Sequence, residues 1–288
     1  MNEDIAMTPH FQEVNGIRLS YVTWGKFTRP ERAVVLVHGL SFSHQEWSEL
    51  GPTLAEQSWY AIAPDLRGRG QSDKPPHGYG IPYHVNDLLA LCDALSLPRV
   101  HLIGHSLGAQ ISYFLAAIHP RRLLRLVLVD AGGRVPADAL QIIGPSLQRL
   151  GRLYPSLDAY LQERQQSPVH PWNAFWEALY RYDAEVHVDG TVTSRVPKAV
   201  IEEEVMVNMT INADVLLPSI QAPTLITRAA LGTLAPDRGF ILPTEEAERV
   251  RGMIAGSRVV EIPDTNHYTI ALSRVFTREV LAFLAAGA

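Results

Sequence analysis

Short apolar runs alternate with longer amphipathic stretches along most of this chain of 288 residues. The runs end in glycine or polar residues, which is typical of strands buried on both faces of a mainly parallel sheet. The clearest runs are Ala33 to Val37, Tyr60 to Ala63, Val100 to Ile103, Leu124 to Val129, Thr224 to Thr227 and Arg258 to Ile262. Helical spacing of apolar residues marks the intervals, for example Ser106 to Ile118 and Arg274 to Leu284. The alternation predicts an α/β fold with helices on both faces of the sheet.

Two further patterns set the limits of this sheet. Phe11 to Val14 and Ile17 to Trp24 flank Asn15-Gly16, a strong signal for a tight turn, and predict a hairpin at the sheet edge. With it the sheet has eight strands. From about Gly133 to Pro218 the helical patterns continue without a convincing buried strand. We interpret residues 134–217 as a helical cap, inserted after the sixth strand into a core formed by residues 1–133 and 218–288.

Composition excludes several classes of function. A net charge of −5 leaves no basic surface for a nucleic acid. The single cysteine, Cys92, excludes disulfides within the chain and multi-cysteine metal sites, and its helical surroundings indicate a buried small hydrophobe. His101 and His105 lie four residues apart without a glutamate ligand, so we expect neither a metal nor another cofactor. Without a signal sequence or a membrane-length apolar run, we expect a cytoplasmic monomer or homodimer whose partner is a small-molecule substrate.

The clearest chemical signal is the pattern G-x-S-x-G at Gly104 to Gly108. It follows the strand that begins at Val100 and opens a helix. In this setting the small residues allow a sharp turn that lifts the Ser106 hydroxyl clear of the backbone. The N-terminus of the helix supplies positive potential and free N–H groups beside it. The pattern therefore indicates a nucleophilic serine on a strand–turn–helix elbow.

Four motifs in order make the chain resemble the α/β-hydrolase superfamily. Besides the elbow, Val34 to Gly39 looks like the strand and His-Gly turn that precede an oxyanion hole. Asp65 to Ser72 is similar to the family's D-x-R-G-x-G-x-S loop, which we interpret as structural, together with His38. Val259 to His267 resembles the last strand and the loop that bears the catalytic histidine. The resemblance implies that His267 is the general base, and that the backbone N–H groups of Leu40 and Leu107 form the oxyanion hole.

The acidic member of the catalytic group has two candidates. Asp130 ends the strand Leu124 to Val129, where some lactone hydrolases and dehalogenases of the family have their acid. The commoner family position follows the strand Thr224 to Thr227, but here a long loop delays the next aspartate to Asp237. We favour Asp130, because an acid at a rigid strand end orients an imidazole better than one on a long loop.

The cap offers weaker signals. Trp172 and Trp176 lie on one face of a predicted helix that runs from Pro171 to Tyr182. We favour packing of this face onto the core, and we leave open that both residues wall an apolar substrate pocket. Six arginines also fall in the insertion, and one of them could pair with a substrate carboxylate. They are Arg134, Arg149, Arg152, Arg164, Arg181 and Arg195.

Taken together, these residues predict a serine hydrolase that cleaves a carboxylic ester or lactone of a small to medium, partly apolar substrate through an acyl-enzyme. Family members that open epoxides or displace halides need a carboxylate nucleophile, so Ser106 argues against both. The same residues could instead hydrolyse a carbon–carbon bond of a dienone or β-diketone, or an amide. A non-catalytic receptor for a small molecule is the third alternative.

Overall fold

The computed structural model describes residues 6–134, 136, 138, 141, 144 and 147–286. The remaining positions of the predicted core and cap lie outside the described residues. The described chain contains the strands β1 (Thr8–Val14), β2 (Ile17–Trp24), β3 (Ala33–Val37), β4 (Tyr60–Pro64), β5 (Val100–His105), β6 (Leu123–Val129), β7 (Ala184–Val186), β8 (Val192–Ser194), β9 (Thr224–Ala229) and β10 (Arg258–Ile262). It also contains the helices α1 (Leu50–Glu56), α2 (Ile81–Ala94), α3 (Leu107–Ile118), α4 (Leu157–Gln165), α5 (Ala174–Asp183), α6 (Lys198–Asn208), α7 (Ala213–Leu216), α8 (Thr244–Met253) and α9 (Arg274–Ala285). None of these helices is long and apolar enough to cross a bilayer.

The predicted α/β fold is confirmed. Eight strands form one sheet in the order β1-β2-β4-β3-β5-β6-β9-β10. The six neighbouring strands β4, β3, β5, β6, β9 and β10 pair in parallel. In contrast, β2 pairs antiparallel with β4 and with β1, and β1 and β2 form the predicted hairpin around Asn15-Gly16. Because the parallel strands all point the same way, their carboxyl ends and the loops that follow meet at one edge of the sheet.

Both faces of the sheet are buried, as the continuous apolar runs predict. On β3, Val35 and Val37 point into the core cluster that contains α2 and α3, while Val34 and Leu36 point into the opposite cluster with α1 and α9. Successive side chains of a strand face opposite sides, so a strand covered on both faces needs apolar residues at every position. Cys92 lies in the first cluster, where burial raises the pKa of its thiol to about 12. The thiol is therefore not a reactive group, as its helical surroundings indicate.

The segment between β6 and β9 is mostly helical in its described part, but it also contains a two-stranded antiparallel sheet of β7 and β8. The sequence reading missed this hairpin. Each of its strands has three residues, too few to display the alternation that identifies a strand. A tight turn at Gly190, whose φ is +83°, closes the hairpin.

A buried ionic cluster joins α6 of this segment to the core. The Glu204 carboxylate on α6 pairs with Arg69, and its second oxygen lies 2.8 Å from His84 Nε2 on α2. All three side chains have an exposed fraction of 0%. Burial opposes ionisation of Glu204, but Arg69 and His84 outweigh it and lower the carboxyl pKa to about 2. The charge on Glu204 therefore persists throughout the neutral range and into acid.

Glu204→Gln is expected to lower the free energy of unfolding by about 3–5 kcal/mol at neutral pH, because it leaves the Arg69 guanidinium buried without its counterion. Urea unfolding followed by circular dichroism measures this loss. Since the folded-state pKa is depressed, the wild-type contribution is lost as pH falls from the ordinary glutamate range towards 2. Glu202→Gln on the same helix is the matched control. Glu202 pairs with Lys198 at the surface, and its loss should cost less than about 1 kcal/mol. Equal losses for the two variants would contradict the prediction.

Candidate active site

Ser106 lies on a sharp turn between β5 and α3. Its backbone has φ +54° and ψ −116°, which non-glycine residues rarely adopt. The turn is possible because of its two glycines: a side chain at Gly104 would collide with the carbonyl oxygen of Gly108, and one at Gly108 with that of Val37. The half-buried serine is thereby lifted above the sheet edge, at the N-terminus of the helix.

Ser106, His267 and Asp130 form a continuous chain of hydrogen bonds. The Ser106 Oγ lies 3.0 Å from His267 Nε2, and His267 Nδ1 lies 2.7 Å from Asp130 Oδ2. Asp130 follows β6 directly, and its second oxygen accepts a hydrogen bond of 2.8 Å from the Ala229 N–H at the end of β9. The carboxylate is therefore held from two sides, in the orientation that presents it to the imidazole. A serine, a base within reach of it and a group that orients the base are what nucleophilic catalysis requires.

Asp237, the alternative acid, lies elsewhere. It occupies the exposed tip of a tight turn that is closed by hydrogen bonds between Ala235 and Arg238. The start of the same loop does approach the histidine loop, since the Leu231 N–H donates to the Thr265 carbonyl. The chain then turns away, and the structure brings Asp130 rather than Asp237 to His267.

The electrostatics around His267 favour its neutral form. Burial has the largest effect and lowers the pKa of His267, and the nearby His105 lowers it further. The hydrogen bond and negative charge of Asp130 act in the opposite direction, but the net pKa lies below its ordinary value. A histidine with a lowered pKa remains unprotonated at neutral pH, so that Nε2 can accept the serine proton.

Two backbone N–H groups are candidates to stabilise an oxyanion beside Ser106. Leu107 is the first residue of α3, so its N–H has no acceptor within the helix. Leu40 follows the His-Gly turn, and its carbonyl oxygen accepts a hydrogen bond of 3.0 Å from the buried Arg69. His38 supports this turn, because its Nδ1 lies 2.7 Å from the Gly39 carbonyl and its Nε2 accepts from the Leu66 N–H. The predicted structural role of His38 thus has a physical basis in these contacts.

Aromatic rings adjoin the site. The Phe42 ring contacts three of them, with centroid distances of 6.4 Å to His105, 6.2 Å to Trp176 and 6.3 Å to Tyr268. Trp176 is buried within the inserted segment and stacks on His170 at 3.7 Å. Trp176 therefore packs in one cluster with Phe42, and its role as a pocket wall stays a prediction. Trp172 precedes α5 and does not lie on the predicted helix face, because the Asn173 side chain caps the helix and starts it at Ala174. Trp172 is half-buried and stacks on Tyr180, with 6.0 Å between the ring centroids.

Most of the arginines in the segment between β6 and β9 have local partners. The pairs are Arg134 with Asp214, Arg152 with Glu163, Arg181 with Glu177, and Arg195 with the Tyr182 carbonyl, while Arg164 is buried over the Tyr160 ring. Arg149 is half-buried near the aromatic cluster. There it assists burial in lowering the pKa of His170 to about 4. Its neighbours Leu147 and Leu150 pack with Leu40, so this stretch of the insertion adjoins the candidate oxyanion turn.

Sequence reasoning missed three residues of this site. Asn266 donates a hydrogen bond of 2.7 Å to the Val169 carbonyl and so ties the histidine loop to the inserted segment. Glu46 and His105 form a buried ion pair beside His267. The position of His105 inside the elbow motif was visible in the sequence. No pattern, however, connected it with a glutamate far upstream.

Comparisons with known proteins agree with this architecture. A family model described as the alpha/beta hydrolase fold matches residues 32–168. The crystal structure of an E-2-(acetamidomethylene)succinate hydrolase superposes with a TM-score of 0.83, covering 98% of this chain and 100% of that chain at 20% sequence identity.

Two sequence relatives add detail. An uncharacterised protein of Mycobacterium tuberculosis is 36% identical over 126 residues, which are 44% of this chain and 36% of the relative. The chain thus matches little more than a third of that protein's length. A Variovorax paradoxus protein with the provisional name carbamate hydrolase RutD is 28% identical over 255 residues, which are 88% of this chain and 91% of the relative.

Proposed function

Since the chain belongs to the α/β-hydrolase superfamily, we propose that it is a serine hydrolase acting on carboxylic esters or lactones. The observation that carries the proposal is the chain of hydrogen bonds from Ser106 through His267 to Asp130, with links of 3.0 and 2.7 Å. The rings of Phe42 and Tyr268 adjoin these hydrogen-bonded residues and favour a partly apolar substrate of small to medium size.

In the first half-reaction, the Ser106 Oγ attacks the carbonyl carbon while its proton passes to His267 Nε2. Asp130 holds the Nδ1–H of the ring and stabilises the imidazolium that forms. The N–H groups of Leu107 and Leu40 donate to the oxyanion of the tetrahedral intermediate. The intermediate collapses to an acyl-enzyme, and His267 returns the proton to the leaving alkoxide.

In the second half-reaction, a water molecule takes the place of the leaving alcohol. His267 removes its proton as the water attacks the acyl carbonyl, and the same two N–H groups stabilise the second oxyanion. Ser106 then leaves with the proton from His267, so the enzyme returns to its starting state. A lactone follows the same course, except that the alcohol stays attached to the acyl group and leaves with it.

A second candidate is hydrolysis of a carbon–nitrogen bond in an amide or carbamate. The similarity to the Variovorax protein favours it, because the alignment covers nearly all of both chains and the name of that relative specifies a carbamate. The chemistry differs at one step: His267 must protonate a poor amine leaving group before the intermediate collapses. An ester leaving group makes no such demand.

A paired panel of substrates tests the proposal. We expect p-nitrophenyl acetate, butyrate and hexanoate to be hydrolysed with saturation kinetics, while the corresponding p-nitroanilides are hydrolysed far more slowly. Mass spectrometry of the quenched reaction should detect an acyl group on the Ser106 peptide. Preferred turnover of anilides or aryl carbamates would select the second candidate. Rates for all compounds equal to those of Ser106→Ala would contradict both.

A further inference from the structure

Glu46 makes two contacts that the reaction described above does not use. It lies in the short helical turn His44–Trp47 that follows β3, and it is 3% exposed. One carboxylate oxygen accepts a hydrogen bond of 2.9 Å from the Gly39 N–H, immediately before Leu40. The other oxygen lies 2.5 Å from His105 Nδ1. One side chain therefore holds both the candidate oxyanion turn and the residue next to Ser106.

His105 connects this carboxylate with the proposed general base. Its exposed fraction is 2%, and its ring centroid lies 4.6 Å from that of His267. The titratable groups that face it are Glu46 from the turn after β3, Asp130 from the end of β6 and His267 from the last loop, whose backbone forms a hydrogen bond with the His105 ring. Burial opposes protonation of His105, but Glu46, assisted by Asp130, outweighs it and raises the pKa of the ring. The surroundings of His105 thus favour its protonated form, next to a histidine that must stay neutral.

A buried pair such as Glu46 and His105 contributes little net stability to the fold. Desolvation of two ions usually offsets their attraction, so apolar side chains of similar volume stabilise a fold at least as well. Here the pair occupies the small space between the oxyanion turn, the nucleophile and the base. Glu46 contacts the Gly39 N–H and His105 adjoins the His267 ring, and both partners belong to the proposed machinery of acyl transfer.

We propose that Glu46 and His105 are positioning residues for acyl transfer, with Glu46 fixing the Leu40 turn and the His105 cation holding His267 unprotonated. This inference rests on the proposed function, because it assigns His267 the role of base. The groups that act on His267 are Asp130 and Glu46, which favour its protonated form, and His105, which opposes it. Loss of the His105 charge leaves only burial to oppose the two carboxylates.

The test uses a probe that reports on the nucleophile without knowledge of the natural substrate. Diethyl p-nitrophenyl phosphate reacts when the Ser106 Oγ attacks phosphorus, p-nitrophenolate leaves with its electron pair, and the serine proton passes to His267. The mass increase of the intact protein gives the rate at each pH. For the wild type we expect the acid limb of this profile below the ordinary histidine pKa, because the pKa of His267 is lowered.

His105→Gln is expected to move the acid limb to higher pH by about two units, as unit charges ~5 Å apart imply at an effective dielectric constant near 20. His101→Gln is the matched control. It makes the same change on the same strand at a buried histidine whose pKa is lowered to about 4, where no charge is removed. Its acid limb should coincide with that of the wild type. An unmoved limb in His105→Gln, or an equal shift in the control, would overturn the proposal.

Glu46→Gln tests the contact with the oxyanion turn. We expect the limiting rate of phosphorylation to fall about tenfold while the half-saturating concentration changes little, because the turn acts on the transition state rather than on binding. Glu49→Gln, an exposed position in the same segment, should leave both values unchanged. A rise in half-saturating concentration with an unchanged limiting rate would contradict a positioning role.

A measurement on the wild type keeps the proposal testable if His105→Gln does not fold. Nitrogen-15 spectra of the histidine rings near pH 6 should show both nitrogens of His105 protonated while His267 is neutral. A neutral His105 under these conditions would overturn the proposal. Failure of the phosphate ester to label wild-type Ser106 would instead count against the proposed function, and the ring spectra would still decide the charge on His105.

Discussion

Ser106→Ala should reduce kcat for a p-nitrophenyl ester by about 10⁴–10⁶-fold, because it removes the atom that forms the acyl bond. His267, Asp130 and the N–H donors remain, and a residual rate above that of water should persist through them. Alanine has one heavy atom fewer than serine and can take the same backbone conformation, so the elbow should keep its shape. Steady-state kinetics with active-site titration of the wild type measure the change.

Ser112→Ala is the matched control for this prediction. Ser112 is buried on α3, and its hydroxyl donates a hydrogen bond of 2.6 Å to the Gly108 carbonyl, so the same atom is removed from the same helix. That variant should lose about 1 kcal/mol of stability and keep kcat within a fewfold range. If Ser106→Ala retained most of its activity while labelling by the phosphate ester was abolished, Ser106 would be reactive without being the catalytic nucleophile.

The sheet could be predicted from sequence because strands covered on both faces are continuous apolar runs. Observed β3 and β10 have the predicted limits, and β9 continues to Ala229, past the polar Thr227 where the prediction stopped. That continuation matters, since the N–H of Ala229 holds Asp130. The sequence pattern ends the strand where the apolar run gives way to polar residues, whereas hydrogen bonding to β10 decides where the strand ends.

The candidate site was predictable only in part. The motif located Ser106, and the meeting of strand ends at one edge made contact between Asp130 and His267 a reasonable expectation. The pairing of Glu46 with His105 depends on the helical turn His44–Trp47, which brings the Glu46 side chain next to the His-Gly turn. Such a contact joins residues far apart in sequence and leaves no periodic signal. The aromatic contacts of Phe42 with Trp176 and Tyr268 also join residues far apart in sequence, so the sequence pattern did not predict them.

Asp130→Asn is expected to lower kcat about 10⁴-fold, the loss that accompanies the wrong imidazole tautomer. The geometry gives the reason. The Ala229 N–H donates to Oδ1 of Asp130, so an asparagine must keep its oxygen there and turn its NH₂ group towards His267. Nδ1 of His267 must then accept, which places the ring proton on Nε2. A protonated Nε2 cannot take the proton from Ser106.

Asp237→Asn supplies the comparison that decides between the two acids. Asp237 is exposed at the tip of its turn, so kcat should stay within about twofold of the wild type and stability should change by less than about 0.5 kcal/mol. Both variants are measured with the same ester, and the ring nitrogens of His267 are observed by NMR to detect the tautomer directly. A loss of about 10⁴-fold in Asp237→Asn, with Asp130→Asn nearly unaffected, would reverse the assignment. It would require the loop after β9 to close over His267 when substrate binds, since only that movement could bring the Asp237 carboxylate to Nδ1.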